Sequence, residues 1–132
     1  MFKLIKIENG RQNVPEPEYL EAKASEEIVI GEALVLSAGV LTKCAATTAP
    51  QYIAMASVGV NDTKRTIAAC RVESNQLYDV PLSVAPGNIK VGDKVTLATD
   101  GIKVTATTDS GVAKIVSLNG AAIAGDVVTV RF

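Results

Sequence analysis

The sequence predicts an all-β fold, either a small β-barrel or a compact sandwich of short antiparallel strands, with an extended N-terminal arm. A unit made of an apolar lead-in, a glycine, a carboxylate and an alternating strand occurs at residues 28–43 and 89–105, and in part at 123–132. Turn-forming residues recur at the roughly 8–12-residue spacing of all-β domains. No segment longer than about ten residues has the apolar spacing of an amphipathic helix. We therefore divide the chain into an arm, residues 1–23, and a β-barrel domain, residues 24–132.

The arm differs in composition from the rest of the chain. Residues 2–5 can form a short edge strand, and residues 8–13 are polar turn material. The two prolines that follow fix φ, remove amide donors and bias their predecessors toward extended geometry, which predicts an extended strap. The strap either lies on its own domain or lies on a neighbouring molecule, and composition leaves both open. Its candidate contact residues are Asn13, Val14, Pro15, Glu16, Pro17, Glu18, Tyr19 and Leu20.

The domain after the arm consists of strands joined by turns. Residues 51–58 have apolar side chains on both faces, so this strand is expected to be central. Residues 59–65 are polar and turn-rich, which predicts a surface loop. In chain order the expected strands are the two of the unit 28–43, then 51–58, 66–72, 76–82, the two of the unit 89–105, 112–118 and 126–132.

The repeated units place a carboxylate directly after a glycine. Glycine allows φ > 0 without a Cβ clash, and Asp or Glu can accept hydrogen bonds from turn amides. Three carboxylates at equivalent positions favour one repeated structural role over acid–base chemistry or metal binding. Asp100-Gly101 also predicts a two-residue type I′ hairpin turn. The expected structural turn residues are Gly31, Glu32, Gly92, Asp93, Asp100, Gly101, Gly125 and Asp126.

Composition restricts the possible functions. The 132 residues suit a single domain, and 13 Lys and Arg against 14 Asp and Glu give no cationic excess for nucleic-acid phosphates. The chain has no histidine, which removes His-based triads and His metal sites, and no glycine-rich phosphate loop is present. No apolar run approaches the about 18 residues that cross a bilayer. We expect no enzymatic activity, no cofactor, no metal, no nucleic acid and no membrane partner.

The two cysteines, Cys44 and Cys70, lie far apart in the sequence. Neither has a second cysteine nearby to form a metal or redox motif. Buried free thiols are the expected state, and a single disulfide between them is the alternative.

A family resemblance is carried by residues 8–20, by residues 31–36 with Gly39 and 41–44, by residues 91–97 with Asp100-Gly101, and by the closing strand. Across nearly its whole length the chain resembles the head decoration (capsid cement) proteins of tailed bacteriophages. This resemblance implies a non-enzymatic protein of the virion, made in the host cytoplasm, that binds the outside of the head. It also implies that the chain reinforces contacts between major capsid protein subunits and is a homo-oligomer, with a trimer favoured.

Two other classes remain open. One is a non-enzymatic adaptor or carrier β-barrel of a cellular assembly, but a lipoyl-like carrier needs a lysine at an exposed hairpin tip. The tips here, residues 37–39 and 99–101, contain none. The other is a receptor-binding head fibre, which sugar-binding aromatic residues would favour. Only 4% of this chain is aromatic.

Overall fold

The computed structural model describes residues 1–8 and 16–132, which form two five-stranded antiparallel sheets and contain no helix. The strands are β1 (Lys3–Ile7), β2 (Glu18–Glu21), β3 (Ala33–Ser37), β4 (Val40–Lys43), β5 (Tyr52–Ala54), β6 (Thr66–Arg71), β7 (Gln76–Pro81), β8 (Lys94–Val95), β9 (Ala113–Ser117) and β10 (Val127–Arg131). The first sheet has the order β1-β7-β10-β9-β8, and the second has the order β2-β6-β5-β3-β4.

The two sheets pack on each other without closing into a barrel. The all-β prediction and its sandwich alternative are therefore confirmed, and the barrel alternative is wrong. The physical reason is that no edge strand of one sheet pairs with an edge strand of the other in the described residues. Each sheet therefore ends at short edge strands, β1 and β8 in the first and β2 and β4 in the second.

The described parts of residues 1–23 belong to this sandwich. β1 pairs with β7 and β2 pairs with β6, so each is an edge strand of one sheet. Phe2 is buried and its amide donates to the Gly31 carbonyl at 2.8 Å. The described parts of the N-terminal segment thus supply one edge strand to each sheet.

The main core fills the space between the sheets. Most of its side chains come from the first sheet and from the irregular segment after β8, while β3 and β5 contribute Ala33 and Ile53 from the second sheet. Burying one such aliphatic side chain stabilises the fold by about 1.5–3 kcal/mol. The fully buried aliphatic members are Val80, Leu82, Val95, Leu97, Val104, Ile115, Val128 and Val130.

A second core layer covers the outer face of the second sheet. Tyr52 and Ala54 of β5 point into it, while Ile53 between them points into the main core. The prediction of a central strand here is confirmed, because β5 is the middle strand of its sheet and is buried throughout. Its expected length is wrong. The strand ends at Ala54, and Val58 instead pairs with Ile28 in an isolated bridge that helps to cover the layer.

Arg65 fastens the loop that closes this second layer. Its guanidinium donates to four backbone carbonyls, which lie in two separate loops, at 2.5–3.3 Å. One side chain therefore links the carbonyls of two loops by charge-assisted hydrogen bonds. The carbonyls belong to Ala22, Lys23, Glu26 and Gly59.

The three repeated glycine–carboxylate turns share one geometry. Each glycine has positive φ, at 78°, 98° and 93° for Gly31, Gly92 and Gly125. Each following carboxylate accepts a hydrogen bond from the amide three residues earlier. These bonds run from Val29 to Glu32 (2.9 Å), from Lys90 to Asp93 (2.8 Å) and from Ile123 to Asp126 (3.0 Å).

The turn at Asp100-Gly101 differs from the predicted type I′ turn. Gly101 has a φ of 68°, but Asp100 is not in the positive-φ region, which a type I′ turn requires at both positions. The Gly101 amide donates to the Ala98 carbonyl at 3.0 Å, and Asp100 accepts from the amide of Ile102. The I′ pair of dihedrals occurs instead at Ala38-Gly39, between the paired residues Ser37 and Val40.

Glu32 joins the first two repeated units. Its side chain is fully buried, packs against Gly101, and places Oε1 3.4 Å from the Lys43 ammonium. Burial raises the pKa of this carboxyl, while the Val29 amide and Lys43 oppose the shift.

We expect a Glu32→Gln variant to gain stability relative to the wild type as the pH rises. The folded state holds the Glu32 proton to a higher pH than the unfolded chain does, so this residue's stabilising contribution is complete below the unfolded pKa. It is lost as the pH rises through the folded pKa. Urea unfolding of both proteins from about pH 4 to about pH 8 measures the difference. A wild-type advantage that grows with pH would contradict the assignment.

The cysteines are both buried and unpaired, so the free-thiol prediction is confirmed. Cys44 lies in the main core, and its Sγ donates to the Thr48 carbonyl at 2.9 Å. Burial raises the pKa of the Cys44 thiol to about 11 and also raises that of Cys70. Both thiols are therefore protonated at neutral pH, which makes them poor nucleophiles.

Candidate interaction surface

The predicted contact segment ends in strand β2, at the edge of the second sheet. Of its residues, Asn13, Val14 and Pro15 lie outside the described part of the chain, and Glu16 and Pro17 are exposed just before the strand. Glu18 holds the strand in place: Arg71 Nε donates to its Oε1 at 2.8 Å, and the Tyr52 hydroxyl donates to its Oε2 at 3.1 Å. Hydrogen bonding to Arg71 lowers the pKa of Glu18.

Alternation along β2 separates its side chains into two sets. Leu20 packs against the second core layer, on the same side as Glu18. Tyr19 and Glu21 point the other way, and 70% of the Tyr19 residue surface is exposed. Only Tyr19 and Glu21 of this strand are therefore placed to contact another molecule with their whole side chains.

An open apolar cleft of about 250 Å³ lies between β1 and the middle of the second sheet. Met1, Leu4 and Ile30 form its outer part, and Met1 and Ile30 are each 50% exposed. Its floor is deeper and comes from both sheets. The floor residues are Phe2, Ile53, Ala54, Met55, Cys70 and Tyr78.

Tyr19 and the cleft lie on the same face of the second sheet. Tyr19 is paired with Ala68 of β6, and Cys70, two residues further along β6, is paired with Ile53 of β5. Residues two apart on a strand share a face, and so do directly paired residues. Tyr19 therefore stands beside the cleft without entering it.

A hydrogen-bonded polar network lies beneath the apolar lining of the cleft floor. The Tyr78 hydroxyl donates to Gln76 Oε1 at 2.6 Å and lies 3.8 Å from Cys70 Sγ. Burial raises the pKa of Tyr78 as well as that of Cys70. The floor of the cleft is thus suited to contact an apolar side chain, and its two titratable groups, Cys70 and Tyr78, are held neutral.

Charges of opposite sign flank the cleft. Lys3 lines its β1 side and Glu21 lies two residues beyond Tyr19, and within the described residues neither makes an ion pair. Lys6 and Glu16 extend the same distribution and are also exposed. We call the group Met1, Lys3, Tyr19, Glu21, Ile30 and Met55 the edge surface.

Sequence reasoning placed Tyr19 among the contact residues but missed Met1, Ile30 and Met55. Ile30 could have been recognised as a surface residue from the sequence, because a side chain that precedes a turn glycine is not constrained to face the core. The meeting of residue 1 with residues 53–55 depends on the sheet pairing, and no local pattern encodes it. Among the described residues no group of three or more His, Cys, Asp or Glu side chains is arranged to hold a metal ion. No helix long and apolar enough to cross a membrane is found there either.

The fold and this surface define an all-β sandwich protein with an apolar, charge-flanked recess at one edge. Its structure is similar to that of the head fiber gp8.5 N base of bacteriophage phi29, with a TM-score of 0.60 and 24% sequence identity. The match covers 89% of this chain and 94% of the phi29 chain. No protein-family model and no curated protein sequence matches this chain. At this identity the likeness shows a shared fold.

Proposed function

We propose that this chain is a structural protein of a phage virion that binds the outer surface of the head. The observation that carries the proposal is the shared fold with a protein of a phage head fibre, which extends over almost the whole of both chains. The sequence resemblance to head decoration proteins supports the same setting. The partner in this proposal is the major capsid protein, and the chain stabilises contacts between its subunits.

The physical properties of the chain suit a protein that is added in many copies to a lattice. Its formal net charge of −1 avoids strong repulsion between neighbouring copies and offers no general attraction to nucleic acid. Many weak contacts, each repeated around a shell, give high overall avidity. The floor of the cleft is apolar, and burial raises the pKa values of its two titratable groups, Cys70 and Tyr78, which supports the binding of an apolar group.

A second candidate is the base of a head fibre, because that is what the phi29 protein is named. The scarcity of aromatic residues argues against receptor binding by this domain itself, but a base anchors a fibre and has no need to bind a receptor. Both candidates place the chain on the outside of a head, and they differ in whether a fibre extends from the bound domain.

Co-sedimentation with purified heads tests the proposal. The intact chain is the right reagent, because removing residues 1–23 would delete β1, β2 and the buried Phe2. We expect labelled protein to pellet with the heads and to be displaced by unlabelled protein, since specific sites saturate. Labelled protein that stays in the supernatant at every concentration would overturn the proposal.

A further inference from the structure

One aromatic side chain, on the edge surface, differs from the other aromatic residues of the chain in its exposure. Phe2, Tyr78 and Phe132 pack together, with ring centroids 5.4–6.5 Å apart, and Tyr52 lies under the Arg71 guanidinium at 5.8 Å. Tyr19 is the fifth aromatic residue and is 70% exposed. Tyrosine has only two side-chain torsions to fix and is enriched among the residues that dominate binding energies.

We propose that the edge surface binds the edge surface of a second copy of this chain, with Tyr19 of each copy entering the cleft of its neighbour. The inference deepens the proposed function, since it names the partner of this surface and leaves another face for the head. We assign the contact to identical chains because the edge surface carries both the exposed tyrosine and the cleft that would receive it.

The shapes of the two halves correspond. The cleft has a volume of about 250 Å³, which is below the roughly 300–1,000 Å³ of typical small-molecule sites, so it suits a single side chain better than a larger ligand. Its lining is mostly aliphatic and aromatic, so it matches the ring of a tyrosine. Tyr19 cannot fill the cleft of its own chain, because it stands beside that cleft on the same sheet face.

The charges correspond as well. Lys3 is on the rim of the cleft and Glu21 is two residues from Tyr19, so docking Tyr19 into a neighbouring cleft brings the Glu21 of one copy toward the Lys3 of the other. Each side chain lacks an ion-pair partner within the described part of its own chain. In a symmetric dimer or a closed ring, the Glu21 of every copy faces the Lys3 of a neighbour. Closed association of identical chains requires such complementary surfaces on each copy.

Light scattering and analytical ultracentrifugation of the purified chain test the inference. We expect an oligomer, and we expect Tyr19→Ser to raise its dissociation constant by about 30-fold or more. Glu21→Lys and Lys3→Glu should each weaken association by roughly tenfold, and the double variant should recover most of that loss, because the pair is restored with its signs exchanged. Val91→Ser is the matched control. Val91 is 63% exposed and lies next to β8 and β9, at the opposite edge of the first sheet from β1.

Each result decides the inference. A monomeric wild-type chain, an oligomer that Tyr19→Ser leaves intact, or a double charge variant no better than the singles would overturn it. Equal weakening by Val91→Ser would also overturn it. The outcome is separate from that of the head-binding experiment: a monomer that pellets with heads refutes the edge contact alone, and an oligomer that ignores heads refutes the proposed function alone.

Discussion

Replacing Gly111 by alanine is expected to lower the free energy of unfolding by about 3 kcal/mol or more, because the added methyl group would overlap backbone atoms. A Cβ at this position would lie 2.1 Å from the Lys94 carbonyl oxygen and 2.6 Å from the Val95 nitrogen. Both belong to β8, which is held by β9 and by the hydrogen bond from the Val112 amide to the Val95 carbonyl. No flexible side chain is available to move aside. Urea unfolding followed by circular dichroism measures the loss.

Gly39→Ala is the control for this prediction. A Cβ there would meet nothing within 4 Å, so the only cost is the positive φ of 82°, about 1–2 kcal/mol. If the two alanine variants were equally stable, the close approach of Gly111 to β8 would be wrong. A native stability of about 5–15 kcal/mol leaves room to measure both losses.

Replacing Tyr78 by alanine is expected to cost about 3–5 kcal/mol, which is the range for truncating a buried aromatic side chain. Tyr78 is 1% exposed, and its ring contacts the rings of Phe2 and Phe132, which lie far apart in the sequence. Removing it would open a cavity between the two sheets beneath the cleft. The edge strand β1 depends on this region, since it pairs with β7, which carries Tyr78.

Tyr78→Phe separates packing from hydrogen bonding. The phenylalanine ring would keep the aromatic contacts and lose the hydroxyl that donates to Gln76 Oε1. That oxygen still accepts from the Glu73 amide at 2.9 Å, so it is not left without a partner, and the expected cost is about 1 kcal/mol. Thermal or urea unfolding of the two variants gives the comparison. A phenylalanine variant as unstable as the alanine variant would mean that the hydroxyl network, not the ring, holds the core.

The local parts of the fold were predictable because their causes are local. Glycine followed by a carboxylate encodes a turn through φ and through one side-chain acceptor, and the same bond geometry recurs at Glu32, Asp93 and Asp126. Apolar residues on both faces of residues 52–54 correctly indicated a central strand, since only a strand covered on both sides can bury them.

The remaining features depend on pairing between distant segments. Asp100-Gly101 is the stronger type I′ signal, yet the I′ dihedrals occur at Ala38-Gly39, because β3 and β4 continue directly from that turn as paired strands. The segment 96–105 instead closes through a wider turn, in which the Ala98 amide donates to the Lys103 carbonyl, while the Leu97 amide donates outside the segment to the Ala46 carbonyl. The cleft was unpredictable for the same reason, since it exists only where β1 meets β5 and β6.

The most direct test of the central claim is a titration of purified heads with the intact protein, in which the bound copies per head are counted after sedimentation. We predict saturable binding at a fixed number of copies per head, because specific sites on the head are limited in number. Binding that never saturates, or no binding to heads at all, would contradict the claim that this chain is an outer structural protein of a phage head.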